Sequence, residues 1–145
     1  MNADLSVAPE IAQLAVASAA VRPGRATPRT DGRLAGDLAE LAATPERWWD
    51  LVRFDPAGPV RVPVPGLPGS WLLVLPPGAD VDCDCQQATA LAGEAAEFTG
   101  GSSRPLRPGR VRVHGAASQP GPPEPHRLHA AGPGYSVTLH ARMAG

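Results

Sequence analysis

Lysine is absent from this sequence: all 13 basic residues are arginine, set against 14 acidic ones. No stretch carries five or more basic residues in a row, so the electrostatic footprint of a nucleic-acid binder is missing and nucleic acid is not an expected partner. The arginine-only basic set accompanies an abundance of Ala, Gly and Pro, as a coding bias would produce, and a single Arg is therefore weaker evidence of function than usual. Cysteine is nearly absent too. The two that occur, in Cys83-Asp84-Cys85, are too close for an unstrained disulfide and too few for a secreted framework. That leaves free thiols, metal ligands or packing residues. No apolar run is long enough to cross a bilayer. Ile11 to Val21 has the small residues of a signal peptide, but Asp4 and Glu10 precede it where basic residues belong. The expectation is a cytoplasmic protein with no membrane partner.

Proline and glycine are plentiful, 18 and 16 in 145 residues, around an apolar central third. The length fits one domain with a folded core and irregular, Pro-rich connections. Residues 1–32 read as a flexible or partly helical N-terminal segment, with a short helix over Ala8–Ala20 before Arg22-Pro23-Gly24 and Thr27-Pro28-Arg29. The domain is expected over 33–145. Leu34, Leu38 and Leu41 recur at helical spacing. Thr44-Pro45 then offers an N-cap and a first-turn proline to a second short helix bearing Trp48, Trp49, Leu51 and Val52, so helices fill about 34–54.

Strands follow over about 60–142. Val60 to Val64 alternates, and Ser70 to Leu75 is a continuous apolar run between Pro-Gly turns, as a buried strand should be. Arg110–His114, His126–Ala130 and Tyr135–Arg142 complete the series. Gln87–Phe98 reads as strand or helix, since Ala joins either, and Ala116–Pro125 reads as a long loop. Short strands separated by turn signals point to a mainly β domain, a barrel or sandwich.

The order of segments from Trp48 to Met143 resembles the bacterial cysteine dioxygenase-like (thiol dioxygenase) cupins. The resemblance rests on His126-Arg127-Leu128, then Gly132, then Thr138-Leu139-His140, and on Trp71-Leu72-Leu73-Val74-Leu75-Pro76-Pro77-Gly78. It implies a small cupin-type antiparallel β-barrel, jelly-roll-like, preceded by one or two short helices. It further implies a mononuclear Fe(II) that oxidises the sulfur of a small thiol such as cysteine with O₂. His126 would be a metal ligand, His140 and Thr138 the catalytic element, and Arg61 the anchor of the substrate carboxylate. The sequence departs from the family at the His-x-His motif, where Asp82-Cys83-Asp84-Cys85 stands. Ala130 replaces the family's Asn and Arg142 its Tyr, which exchanges a phenol for a fixed charge that favours an anion.

Three neutral imidazoles suit Fe(II), and this chain offers one of them, His126. Cys83 and Cys85, two residues apart, point to one face of a strand and take the place of the missing pair. Thiolates are softer ligands and favour Zn(II), Cu(I) or an altered iron site, completed by His140 or His114. The plain alternative for each stays open: cysteines packed in a core, Arg61 solvated on its strand, His129 on the surface, and Arg104, Arg107, Arg110 and Arg112 as a solvated basic face. Three functions compete on these residues. One is an iron-dependent thiol oxidoreductase, acting on a small thiol or amino-acid-like ligand with O₂. Another is a non-catalytic degenerate cupin serving as a binding or interaction module. The third is a Cys/His site for Zn or Cu. A monomer or weak homodimer is expected.

Overall fold

The computed structural model describes residues 30–114 and 125–143. The expected helix at Ala8–Ala20, most of the N-terminal segment 1–32 and the loop over 116–124 lie outside the described residues. Helix α1 spans Asp31–Ala42, and the Thr30 side chain caps it by accepting from the Arg33 N–H at 3.1 Å. Its buried stripe, Leu34, Leu38 and Leu41, is the one the spacing predicts. The second helix does not form. Two 3₁₀ turns, Pro45–Arg47 and Trp49–Leu51, stand in its place, separated by Trp48 at φ −128°. The Thr44 hydroxyl, rather than capping forward, donates back to the Glu40 carbonyl at 2.8 Å. The break turns Trp48 and Val52 into the core while Trp49 stays outside. Among the described residues no helix is long and apolar enough to cross a membrane.

Nine strands follow: β1 Val60–Pro63, β2 Ser70–Leu75, β3 Asp80–Cys83, β4 Gln87–Ala92, β5 Ala95–Thr99, β6 Ser102–Leu106, β7 Arg112–Val113, β8 His126–Ala130 and β9 Ser136–Ala141. They form two antiparallel sheets. One is four-stranded in the order β3-β8-β5-β6, and the other is five-stranded in the order β1-β2-β9-β4-β7. The segment that composition left ambiguous, Gln87–Phe98, is two strands belonging to different sheets. The chain crosses between the sheets at Gly93, with φ 75°. A side chain there would run into the Tyr135 carbonyl oxygen, so the crossing needs glycine. The strand expected over Arg110–His114 pairs only at Arg112–Val113, the strand expected to carry both cysteines ends at Cys83, short of Cys85, and β6 is an addition to the sequence reading.

Two apolar layers result. Leu72, Val74, Val137 and Leu139 face α1 and its leucines. Alternate residues of the same strands, Trp71, Leu73 and Leu75, face the space between the sheets with Cys83, Cys85, Ala88, Ala90 and Leu128. The functional candidates gather in that second layer.

Candidate functional site

Register builds the site. Antiparallel pairing places Cys83 of β3 directly opposite His126 of β8, so side chains on one face become neighbours at about 5 Å between β-carbons. Cys85 lies just past β3, where the chain passes to the other sheet, and the Gln86 N–H bonds the Ala141 carbonyl at 2.9 Å. That anchor keeps both sulfurs inward, while Asp84 between them faces out. From the opposite sheet β9 contributes His140, which is flanked by Trp71 on β2 and Ala88 on β4. Alanine there leaves room for a fully buried imidazole.

The donor atoms converge closely. Cys85 Sγ is 3.3 Å from His126 Nε2 and 3.3 Å from His140 Nδ1. Cys83 Sγ is 3.5 Å from His140 Nδ1. On its other side the His140 ring meets Thr138, with Nε2 and Oγ1 2.7 Å apart. Cys83, Cys85 and His126 form one set whose ligand atoms all lie within 4.8 Å of each other. Hydrogen bonding from Cys85 draws the Cys83 thiol well below its ordinary value, against the opposing effect of burial, with His126 and His140 adding to the lowering. Cys85 is pushed up by that same bond to Cys83, by burial and by the negative charge of Cys83 and Glu97.

A second set adjoins the first. Glu97 of β5 is buried, and its Oε2 lies 2.5 Å from His114 Nε2 and 3.5 Å from His126 Nε2. Arg112 Nε stands 3.6 Å from the other carboxylate oxygen. The His114 and His126 rings stack with centroids 4.0 Å apart. Glu97, His114 and His126 form a further set within 4.8 Å, and His126 Nε2 serves both sets. Sequence reasoning weighed His114 and missed Glu97. The signal was the alternation Ala95, Glu97, Thr99, which becomes visible only once the segment is read as a strand.

The other expectations land differently. Arg61 is exposed on β1 and lies over the Trp71 ring at 3.9 Å, with Trp71 in turn stacked on His140 at 5.8 Å. It stands one aromatic layer away from the donor cluster rather than within it. Arg142, where an anion was expected, bonds the chain's own Asp84 carboxylate at 3.0 Å. His129 is half-buried and bonds Asp80 at 2.6 Å, on the face opposite His126.

A cation fits the first set on donor chemistry and spacing. Zinc ligands at about 2.0–2.3 Å in tetrahedral array put neighbouring donor atoms about 3.3–3.8 Å apart. Within that set the Cys85 Sγ–His126 Nε2 separation of 3.3 Å falls in that interval, and His140, outside the set, brings its Nδ1 to 3.3 and 3.5 Å from the same two sulfurs. The second set fits less well, because the 2.5 Å contact is a hydrogen bond between Glu97 and His114 and the two imidazoles lie face to face.

No family model matches the sequence, and no curated protein matches it. Among solved structures the chain is similar to TT1209 from Thermus thermophilus, at 21% identity over 65% of this chain and 93% of that one, with a TM-score of 0.50. A cupin superfamily protein from Desulfitobacterium hafniense is 13% identical over 66% of this chain and 88% of its own, with a TM-score of 0.48. A conserved protein with a double-stranded β-helix domain from Klebsiella pneumoniae is 21% identical over 62% and 80%, with a TM-score of 0.45. Likeness at these identities speaks to the fold alone, a mainly antiparallel β fold with few short helices.

Proposed function

We propose that this chain is a cupin-type metal-binding protein that holds one soft ion, Zn(II) or Cu(I), between Cys83, Cys85, His126 and His140. The observation that carries this reading is three sulfur–nitrogen separations of 3.3–3.5 Å, the edge length of a tetrahedral zinc site, among Cys83, Cys85, His126 and His140 in a buried layer. Thiolate and imidazole donors select such ions over hard ones. His140 is prepared for ligation: with Nδ1 toward the sulfurs, Nε2 keeps its proton and donates to Thr138 Oγ1, the outer hydrogen bond that ligating histidines characteristically make. The bound ion would fix charge in the barrel and keep both thiols deprotonated.

Metal analysis of purified protein beside a Cys83→Ser/Cys85→Ser variant tests this. About one zinc or copper per chain, lost in the variant, is expected. A folded wild-type chain that retains neither metal after exposure to stoichiometric zinc refutes it and leaves the non-catalytic binding module.

A second reading has its own support. Glu97, His114 and His126 supply one carboxylate and two imidazoles, the donor set of many non-haem Fe(II) oxygenases. With the resemblance to thiol dioxygenases, it supports oxidation of a small thiol such as cysteine by O₂, beside Thr138 and His140. Because both sets use His126 Nε2, one ion excludes the other. Iron that survives the cysteine substitutions but not Glu97→Gln, with O₂ uptake and a sulfinate product from cysteine, distinguishes this reading from the first.

A further inference from the structure

A cavity of about 260 Å³ opens between the edge strands of the two sheets, β6 and β7. Glu97 and His114 lie at its inner end, Arg104 and Arg112 line its sides, and Thr99 and Ser102 stand at its rim. The charges do not balance. Pairing sets Arg104 directly opposite Glu97, and Arg112 is held toward the same carboxylate at 3.6 Å. Arg112 is steadied by a further bond from Nη2 to the Pro105 carbonyl at 3.4 Å. Two guanidinium groups therefore face one carboxylate, and among the described residues the Arg104 guanidinium has no hydrogen-bond or ion-pair partner. One positive charge is left over in a pocket lined with hydroxyls and imidazole.

We propose that this cavity binds a small monocarboxylate, with Arg104 and Arg112 as its anchors. A guanidinium presents two parallel N–H groups that match the two oxygens of a carboxylate. The volume lies below the range of pockets for drug-sized ligands, about 300–1,000 Å³, which limits the occupant to a few heavy atoms beyond the carboxylate. The inner end of the cavity reaches the metal candidates, because Glu97 Oε2 is 3.5 Å from His126 Nε2. A ligand anchored at the arginines thus directs its other end toward the Glu97–His114 pair. This assignment goes beyond the metal reading and holds for the metal-free chain as well, and it moves the carboxylate anchor from Arg61 to the far side of the barrel.

The test is calorimetric titration of the full chain, with and without zinc, using butyrate, its neutral isostere butyramide, and inorganic phosphate. Butyrate binding that exceeds butyramide binding at least tenfold is expected in both forms. Arg104→Gln and Arg112→Gln each weaken butyrate about tenfold or more, whereas Arg127→Gln, on the outer face against Asp82, leaves it unchanged. Equal binding of the acid and the amide, or no binding of either, overturns the proposal on the wild-type protein alone, whatever the variants do. Phosphate binding tighter than butyrate overturns the carboxylate assignment. Butyrate binding that persists in both arginine variants, each shown folded by its thermal melt, overturns the anchors.

Discussion

Replacing Thr138 by Val removes one hydroxyl and keeps the side-chain shape, which isolates the bond to His140. Both residues are fully buried, and the oxygen–nitrogen separation is 2.7 Å. In the metal-free chain the His140 Nε2 then loses its partner at that place, and a buried polar group left unpaired costs about 1–3 kcal/mol. For a chain of 145 residues each kcal/mol lowers Tm by about 2–4 °C, so a fall of at least about 2 °C is expected. The effect on the metal is separate. Outer-sphere partners of a ligating histidine are typically worth about 10–100-fold in affinity, or about 1.4–2.7 kcal/mol. Competition against a chromophoric zinc chelator measures it, with melting curves in chelator and in excess zinc alongside. Thr138→Ser should restore both quantities. A folded Thr138→Val protein that binds zinc as tightly as the wild type would show that this bond does not orient a ligand, and His140 would leave the proposed set.

Three other outcomes follow from the same structure. Leu72→Ala, a fully buried residue between α1 and its sheet, should lower stability by about 2–5 kcal/mol in denaturant unfolding, with zinc stoichiometry unchanged. Gly93→Ala, at φ 75° against the Tyr135 carbonyl, should lose at least about 1–3 kcal/mol, read as a lower Tm. The pH profile of the metal-free chain should bend with the thiol pair. Cys83 is depressed from the ordinary 9.0, so the unfolded chain binds the extra proton; that contribution is fully present above about pH 9 and fades as pH falls. Cys85 is raised, so its contribution is present below about pH 9 and is lost above it. Stability should therefore climb through neutral pH and turn down in alkali, and a Cys83→Ala/Cys85→Ala variant should flatten the curve in thermal melts.

Particular residues explain what could be read in advance. Leu34, Leu38 and Leu41 spelled out α1 because a helix with one buried face imposes its period on the sequence. Ser70–Leu75 was legible because both of its faces are covered. Cys83, Cys85 and His126 could be grouped from strand alternation and from the order of segments in similar proteins. β6 was hidden by Pro105, tolerated because the strand lies at a sheet edge. Trp48 and Trp49 looked like helix, yet burying only one of two adjacent indoles is better served by a break between short turns. Glu97 escaped because alanines around it carry no period, and its burial depends on Arg112 and His114, partners that only the folded sheets supply.

The two sides of the five-stranded sheet answer to different masters. The side under α1 is sealed by aliphatic packing alone and contains none of the residues that would touch an ion. Stripping the ion therefore removes an occupant and not a keystone: the barrel should remain standing when empty. Small zinc domains collapse without their metal; an ion bound as proposed would instead enter and leave a barrel whose α1 side packs independently of it.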